Sequence, residues 1–264
     1  GDDWLRWGGV KALVDGSLGS RTARFYGSYS DMPSEHGIFV NSEEDLRAWI
    51  GAADAEKLHV TTHAIGDEAN DLLLDIYADV VAANGARDRR FRIEHAQHLT
   101  NKAIQRFARQ GVIASVQPYH AIDDGRWAVA RIGEERLIGT YAFKSLLNAG
   151  AHVSFGSDWP VAPINPLSGV AAAVLRQTLD GTNPQGWYPE QRVSMENALY
   201  AYTAANAYAG FQEDRLGALE VGMLADFIVL DADPFAVDAE KISGIGVLRT
   251  IINGQQKYDA DAPA

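Results

Sequence analysis

The 264-residue chain has an ordinary globular composition, with 47% hydrophobic and 22% charged residues, which excludes disorder, collagen or coiled coil as a description of the whole. Its 35 acidic residues outnumber its 23 Lys and Arg residues and give a formal net charge of -12. Because like charges repel, this charge argues against nucleic-acid and anionic-membrane partners. The chain has no Cys, so any transition metal would need His, carboxylate or modified Lys ligands.

The beginning of the chain bears on localisation. The sequence starts with Gly1 rather than Met and enters a strand-like segment almost at once. We therefore expect the natural N-terminus, and any targeting segment with it, to be missing. No apolar run reaches the ~18 residues that span a bilayer. We expect a cytoplasmic protein that acts on a small molecule, and the sequence leaves homo-oligomerisation open.

Short apolar runs alternate with helical patterns along most of the chain. Strands are predicted at 9–16, 58–63, 90–95, 112–117 and 152–156. Helices are predicted at 42–53, 72–84, around 104–111, and at 140–150, 167–178 and 195–208, the first beginning at a capping-box-like Ser42. The pattern predicts an α/β fold with a parallel sheet, either doubly wound or a (β/α)8 barrel, with a longer loop after the fourth strand.

Near the C-terminus the pattern changes to strands that have no helices between them. The segments 217–222, 225–231 and 247–258 are strand-like, and Asn253-Gly254 lies where a tight hairpin turn is expected. These segments predict part of a small antiparallel sheet attached to the α/β domain.

Candidate metal ligands follow three predicted strands at the point where each strand ends. His63 ends the second strand, His95 ends the third, and Asp158 follows the fifth. In parallel α/β folds the carboxyl ends of the strands meet at one edge, where sites are built. Two His nitrogens and a carboxylate oxygen suit zinc or a similar divalent ion. Any single His is more often structural, but the combination predicts a metal site.

Other polar residues near these strand ends leave two interpretations open. His98 either contacts substrate or caps the next helix, and His120 divides in the same way. Asp67 is interpreted as a helix cap or as a hydrogen-bond partner of a ligand. Lys11 lies in an apolar strand; it either faces outward or points into the site as a carbamate that bridges two metals, since a buried Lys must be paired or modified.

Several segments resemble motifs of one known family. Residues 10–21 (VKALVDGSLGSR) are similar to its fourth barrel strand and loop, 62–67 (THAIGD) to strand five, 93–98 (IEHAQH) to strand six and 156–161 (GSDWPV) to strand eight. The tail 219–231 (LEVGMLADFIVLD) is similar to a closing β-sandwich segment. The chain thus resembles, over nearly its whole length, the family 3 branch of the amidohydrolase superfamily, which includes N-substituted formamide deformylase-like proteins.

The resemblance implies a metal-dependent, TIM-like (β/α)8 barrel hydrolase with a composite β-sandwich. Residues 1–210 would supply about strands four to eight of the barrel, and residues 211–264 the C-terminal part of the sandwich. It implies His63, His95 and Asp158 as metal ligands, Asp158 also as the general base, and Lys11 as a residue that can be carbamylated. The expected cofactor is one or two divalent ions, zinc above all.

One departure from the family pattern concerns its first metal motif. The family has His-x-His at the end of strand one, and this chain has no His-x-His. We therefore expect the C-terminal portion of a longer polypeptide, whose N-terminal part would be its partner. The expected reaction is hydrolysis of a non-peptide, amide-like C–N bond of a small molecule by metal-activated water.

Two other functions stay open. The first is a catalytically incomplete scaffold or binding subunit, because the chain lacks one metal's principal ligands. The second is a metal-independent, phosphate-binding barrel enzyme that would use the loop 16–20 (GSLGS), although glycines after a strand are common in ordinary turns.

Overall fold

The computed structural model describes residues 2, 5, 6 and 8–262, and the chain divides into two compact units. The first unit consists of Gly1–Val116 and Asp124–Val153, and the second of Gln117–Asp123 and Ser154–Ala264. This division follows the contacts within the present chain. It does not coincide with the expected boundary between 1–210 and 211–264, which concerns the complete barrel and sandwich and stays a prediction.

Two sheets are present in the described residues. The strands are β1 (Val10–Leu13), β2 (Val60–Ala64), β3 (Arg92–His95), β4 (Ile113–Val116), β5 (Val153–Phe155), β6 (Phe227–Leu230), β7 (Val247–Ile252) and β8 (Gln255–Asp259). The first sheet has the order β1-β2-β3-β4-β5, and the pairs from β1 to β4 are parallel. The second has the order β6-β7-β8 and is antiparallel. The predicted α/β fold with a parallel sheet is confirmed.

Helices connect the strands of the first sheet and precede the second sheet. They are α1 (Glu43–Ala55), α2 (Asp67–Asn84), α3 (Asn101–Gln110), α4 (Pro118–Asp124), α5 (Ala128–Ile132), α6 (Glu134–Leu137), α7 (Phe143–Asn148), α8 (Pro166–Leu175), α9 (Met195–Tyr202) and α10 (Ala204–Ala209), with 3-10 helices at Pro189–Gln191 and Ala239–Gly244. None of the helices in the described part of the chain is long and apolar enough to cross a membrane.

Local sequence signals fix several of these boundaries. Ser42 caps α1 as predicted, because its Oγ accepts the backbone N–H of Asp45 at 3.1 Å. The tight turn is also confirmed, since Asn253 and Gly254 have φ of 49° and 72° between β7 and β8, the left-handed pair that such a hairpin turn requires. The helix cap and the hairpin turn thus have the local conformations that their own sequences predict.

Three expectations about single elements were wrong. The long loop expected after the fourth strand contains α4, α5 and α6, which are too short to show a helical period in the sequence. Segment 217–222 forms no strand, and Gly217 and Gly222 at its ends have φ of 92° and 100°, outside the extended region. The helix expected over 195–208 is interrupted at Thr203, whose φ and ψ are -124° and -91°.

The parallel sheet has one face covered by helices and one face that carries polar side chains. Alternate β2 residues are buried, and Tyr77 of α2 donates a hydrogen bond to Thr62 on that face at 3.0 Å. In the register of β1 and β2, Lys11 lies beside Thr61 and Leu13 beside His63. Lys11 therefore shares the opposite face with His63, and its side chain is exposed.

In the second unit, α8 packs against the 3-10 helix Ala239–Gly244 and against α9. Ile242 of the 3-10 helix is fully buried. Arg176, directly after α8, is also fully buried; its Nε donates to the carbonyl oxygen of Trp187 at 2.8 Å, and its guanidinium lies 5.6 Å from the Trp187 ring centroid. These contacts anchor the helix that follows the Asp158 segment.

Candidate active site

His63 lies in β2 and is held by the end of the neighbouring strand. Its Nε2 is 2.8 Å from the carbonyl oxygen of Gly16. Because a carbonyl can only accept a hydrogen bond, Nε2 must carry the hydrogen. Neutral His63 is then the Nε2–H tautomer, with a lone pair on Nδ1. This tautomer can bind a metal ion through Nδ1.

Asp15, at the end of β1, is a buried carboxylate beside His63 that the sequence analysis did not select. Its Oδ2 accepts the backbone N–H groups of Arg24 and Gly66, both at 2.8 Å, and its Oδ1 accepts that of Ile65 at 2.9 Å. Oδ1 also lies 3.5 Å from His63 Nε2. Burial raises the pKa of Asp15 to about 7, although the three N–H groups oppose that shift. The sequence feature that could have identified Asp15 is its position after β1, where a carboxylate lies near the end of a predicted strand.

His95 ends β3 in the same unit and lies next to His63. The two imidazole centroids are 4.6 Å apart, and the rings are inclined at 70°. His95 is buried and has a φ of 78°, a left-handed conformation that a non-glycine residue adopts at an energetic cost. The first unit therefore brings together two of the three predicted ligands, one of them in a strained conformation that is typical of functional sites.

Asp158 follows β5 in the second unit and is exposed, with a φ of 57°. A ring nitrogen of His120, from α4, lies within 4.8 Å of an Asp158 carboxylate oxygen. Burial lowers the pKa of His120, and the negative charge of Asp158 opposes that shift. The predicted base thus has a predicted substrate-binding residue as its neighbour.

Comparison with known proteins shows to which family the chain belongs. A model described as the amidohydrolase family matches residues 1–258. The chain belongs to the amidohydrolase family. The resemblance identified from the sequence motifs is thereby confirmed.

Individual family members extend this comparison. The chain is 46% identical to Protein LONG AFTER FAR-RED 3 of Arabidopsis thaliana, over 97% of this chain and 44% of that protein. It is 31% identical to N-substituted formamide deformylase of Arthrobacter pascens, over 97% of this chain and 46% of the enzyme. A solved structure of an uncharacterised metal-dependent hydrolase from Pyrococcus furiosus is 37% identical with a TM-score of 0.78, over 89% of this chain and 46% of that one.

The chain spans about half the length of the curated relatives it matches. The residues that the family model matches, 1–258, include the parallel sheet and the segments that carry the candidate ligands.

His98, the other predicted substrate contact, is fully buried in the first unit. Its Nδ1 lies 2.9 Å from Thr140 Oγ1, and that hydroxyl donates to the carbonyl oxygen of Arg136 at 3.0 Å. The hydroxyl hydrogen is thus in use, so Nδ1 of His98 must be the donor to Thr140. Burial lowers the pKa of His98 to about 3, so the ring is neutral at physiological pH. Its contribution to substrate binding stays a prediction.

Two further candidates have local structural partners. The carboxylate of Asp67, the first residue of α2, accepts the backbone N–H groups of Tyr26 at 3.0 Å and Glu68 at 2.7 Å. The N-cap of α2 is Gly66, so the interpretation of Asp67 as the cap was wrong, and its role as a hydrogen-bond partner of a ligand stays a prediction. In the glycine-containing loop after β1, Ser17 and Ser20 share a hydrogen bond of 2.8 Å. The phosphate-binding interpretation of this loop stays a prediction.

Proposed function

We propose that the complete polypeptide containing this chain is a metal-dependent hydrolase that cleaves a non-peptide, amide-like C–N bond of a small molecule. The observation that carries the proposal is the His63–His95 pair, two adjacent imidazoles of which one has its Nδ1 left unprotonated. Similarity to an N-substituted formamide deformylase supports the substrate class.

The available donors fit a divalent cation. We propose His63, His95 and Asp158 as ligands, because neutral imidazole nitrogens and a carboxylate oxygen are the donor set that zinc prefers. Lys11 shares a sheet face with His63 and is proposed as an additional ligand after carbamylation. When bound, such an ion polarises a carbonyl group and makes a coordinated water more acidic.

Asp158 is proposed as the base. Its exposed carboxylate is positioned to meet substrate and water, and a nearby cation would keep it ionised. It accepts the proton of the attacking water and then delivers that proton to the leaving nitrogen, so that the carboxylate is regenerated. His120, next to Asp158, is proposed to contact the substrate. His98 would join it only if its buried ring becomes accessible.

Metal removal and reconstitution test this function directly. The longest natural polypeptide that contains this chain is stripped with a chelator, reloaded with zinc and assayed on N-substituted formamides and other small amides. We expect activity to follow zinc content, and His63→Ala and His95→Ala to lower both. His36→Ala, which removes an exposed His with no assigned role, is the matched control and should change neither. Full activity of the stripped protein would refute the proposal.

The proposed architecture extends beyond the two observed sheets. We propose that the five-stranded parallel sheet is part of a (β/α)8 barrel and that the three-stranded sheet is part of a β-sandwich. An experimental structure of the complete polypeptide tests both, and a sheet that stays open in that structure would contradict the barrel.

A further inference from the structure

Asp15 is connected to His63 in two ways, through the residue that follows it in the chain and through its own carboxylate. The residue that follows it, Gly16, supplies the carbonyl oxygen that accepts the imidazole N–H. The carboxylate itself binds the backbone N–H groups of Ile65 and Gly66, which are the second and third residues after His63. Asp15 therefore holds the turn that follows His63 through its carboxylate, and it directly precedes the residue whose carbonyl oxygen binds the ring.

We propose that Asp15 is a positioning residue for His63, which holds the imidazole in a fixed direction and in the Nε2–H tautomer, the form that would bind a divalent cation through Nδ1. This inference rests on the proposed metal site. Hydrogen-bond partners that orient a metal-binding His fix both its tautomer and its direction, and their loss typically weakens metal binding.

The backbone N–H groups around position 15 require a carboxylate rather than another small polar side chain. Three backbone N–H groups converge on the two oxygens of Asp15, and only an acceptor on both atoms satisfies all three. In Asp15→Asn, one of the two positions becomes an NH2 group that faces an N–H donor. At least one buried bond is lost, and the turn after His63 moves away from it.

Close packing leaves the turn little room to adjust in another way. A Cβ atom at Gly66 would lie 1.9 Å from the carbonyl oxygen of Arg24, the residue whose N–H also binds Asp15. The 24–25 segment and the turn after His63 are thus in direct contact as well as joined through the carboxylate. A change at Asp15 is therefore transmitted to His63.

Asp54 provides a matched comparison in the same unit. It is also buried, at 1% exposure, but its carboxylate binds the side chains of Arg87, Arg89 and Asn84. Asp54→Asn removes a buried carboxylate and its ion pairs, with a cost in stability. It leaves the turn after His63 untouched.

The test compares Asp15→Asn and Asp54→Asn in the longest natural polypeptide that contains this chain. Zinc affinity is measured by competition with a chromophoric chelator, and the tautomer of His63 is read from the ring ¹⁵N resonances of the metal-free protein, assigned with His63→Gln. We expect Nε2–H in the wild type. We expect Asp15→Asn to raise the zinc Kd by about 10- to 100-fold and to mix the tautomers, whereas Asp54→Asn lowers only the melting temperature.

Two results would overturn the inference: unchanged zinc Kd and unchanged tautomer in Asp15→Asn, or an equal loss of affinity in Asp54→Asn. If Asp15→Asn does not fold, hydrogen exchange of the wild type decides instead, because slow exchange of the Arg24, Ile65 and Gly66 amides supports the inference and rapid exchange contradicts it. A zinc Kd that is unchanged in His63→Ala would refute the proposed metal site, while the tautomer and exchange data still test the positioning.

Discussion

The end of β2 and the segment after β5 present two different kinds of strand end. His63 has two partners: the buried Asp15 holds the turn that follows it, and the carbonyl oxygen of Gly16 binds its ring. Asp158 is exposed and is followed by three exposed apolar side chains, those of Trp159, Val161 and Ile164.

The difference matches the separate tasks proposed for these two residues, which the sequence places in equivalent positions. A metal ligand, the role proposed for His63, works best when the nitrogen that binds the ion has a fixed direction, which hydrogen bonds provide. A base that gives and takes protons must instead reach solvent and substrate. Substitutions in the β2 turn should therefore change stability, and substitutions at Asp158 should change turnover.

The largest expected effect concerns Asp158. Asp158→Asn keeps the size of the side chain but loses its basicity, so in the complete polypeptide turnover should fall by roughly 10²-fold or more. Steady-state kinetics and zinc content at saturating metal measure the effect, and the zinc content should fall less than in His63→Ala. Because Asp158 is exposed, the melting temperature should stay near that of the wild type.

Asp180→Asn serves as the control for this prediction, since it removes another exposed carboxylate of the second unit. Near-normal turnover of zinc-loaded Asp158→Asn would leave Asp158 as a structural residue. It would also remove the contrast between the two regions.

A glycine pair compares the packing of the two regions. In Gly66→Ala the new Cβ would meet the Arg24 carbonyl oxygen at 1.9 Å, whereas in Gly156→Ala it would meet nothing within 4 Å. We expect Gly66→Ala to destabilise the protein by about 1–3 kcal/mol, the usual cost of overpacking. Urea unfolding of the two variants checks this, and equal stabilities would show that the β2 turn is no more constrained than the segment before Asp158.

The buried imidazole of His98 predicts a dependence of stability on pH. Its pKa is lowered from 6.5 to about 3 in the folded protein, so the unfolded chain binds the proton more tightly. The contribution to stability is complete above about pH 6.5 and decreases as the pH falls toward 3, by about 1.4 kcal/mol at pH 5.5.

Urea unfolding of the wild type and His98→Asn at pH 7.5 and 5.5 measures that contribution. The variant should lose less stability between the two pH values, while His36→Asn should behave as the wild type does. The same pH dependence in His98→Asn would mean that other groups cause it and that burial does not lower the pKa of His98.

The smallest expected effect lies outside both regions. Ser42→Ala removes the side-chain cap of α1 and should cost about 1 kcal/mol in the free energy of unfolding, with no change in turnover or zinc affinity. This variant calibrates the others, because a loss of zinc affinity here would show that any moderate destabilisation disturbs the site.

Much of this arrangement was accessible from the sequence because its signals are local. The alternation of apolar runs with helical patterns predicts the parallel sheet, and His63 and His95 stand out because each ends a strand. The proximity of His120 to Asp158 was not predicted, because the two are 38 residues apart and α4 is a short helix in what reads as a loop. Asp15 was not predicted for a related reason: its partners are backbone N–H groups, which every residue except proline has and which the side-chain pattern therefore does not reveal.

The bonds from Asp15 to Ile65 and Gly66 join residues that are 50 and 51 positions apart in the sequence. Closing a loop of that length costs entropy before any contact offsets it, and parallel pairing of distant strands is intrinsically slow. The orientation of His63 therefore cannot be established while the chain is still folding locally. It arises with the pairing of β1 and β2, so zinc binding at the proposed site should be acquired late in refolding, in the same kinetic phase as the parallel sheet.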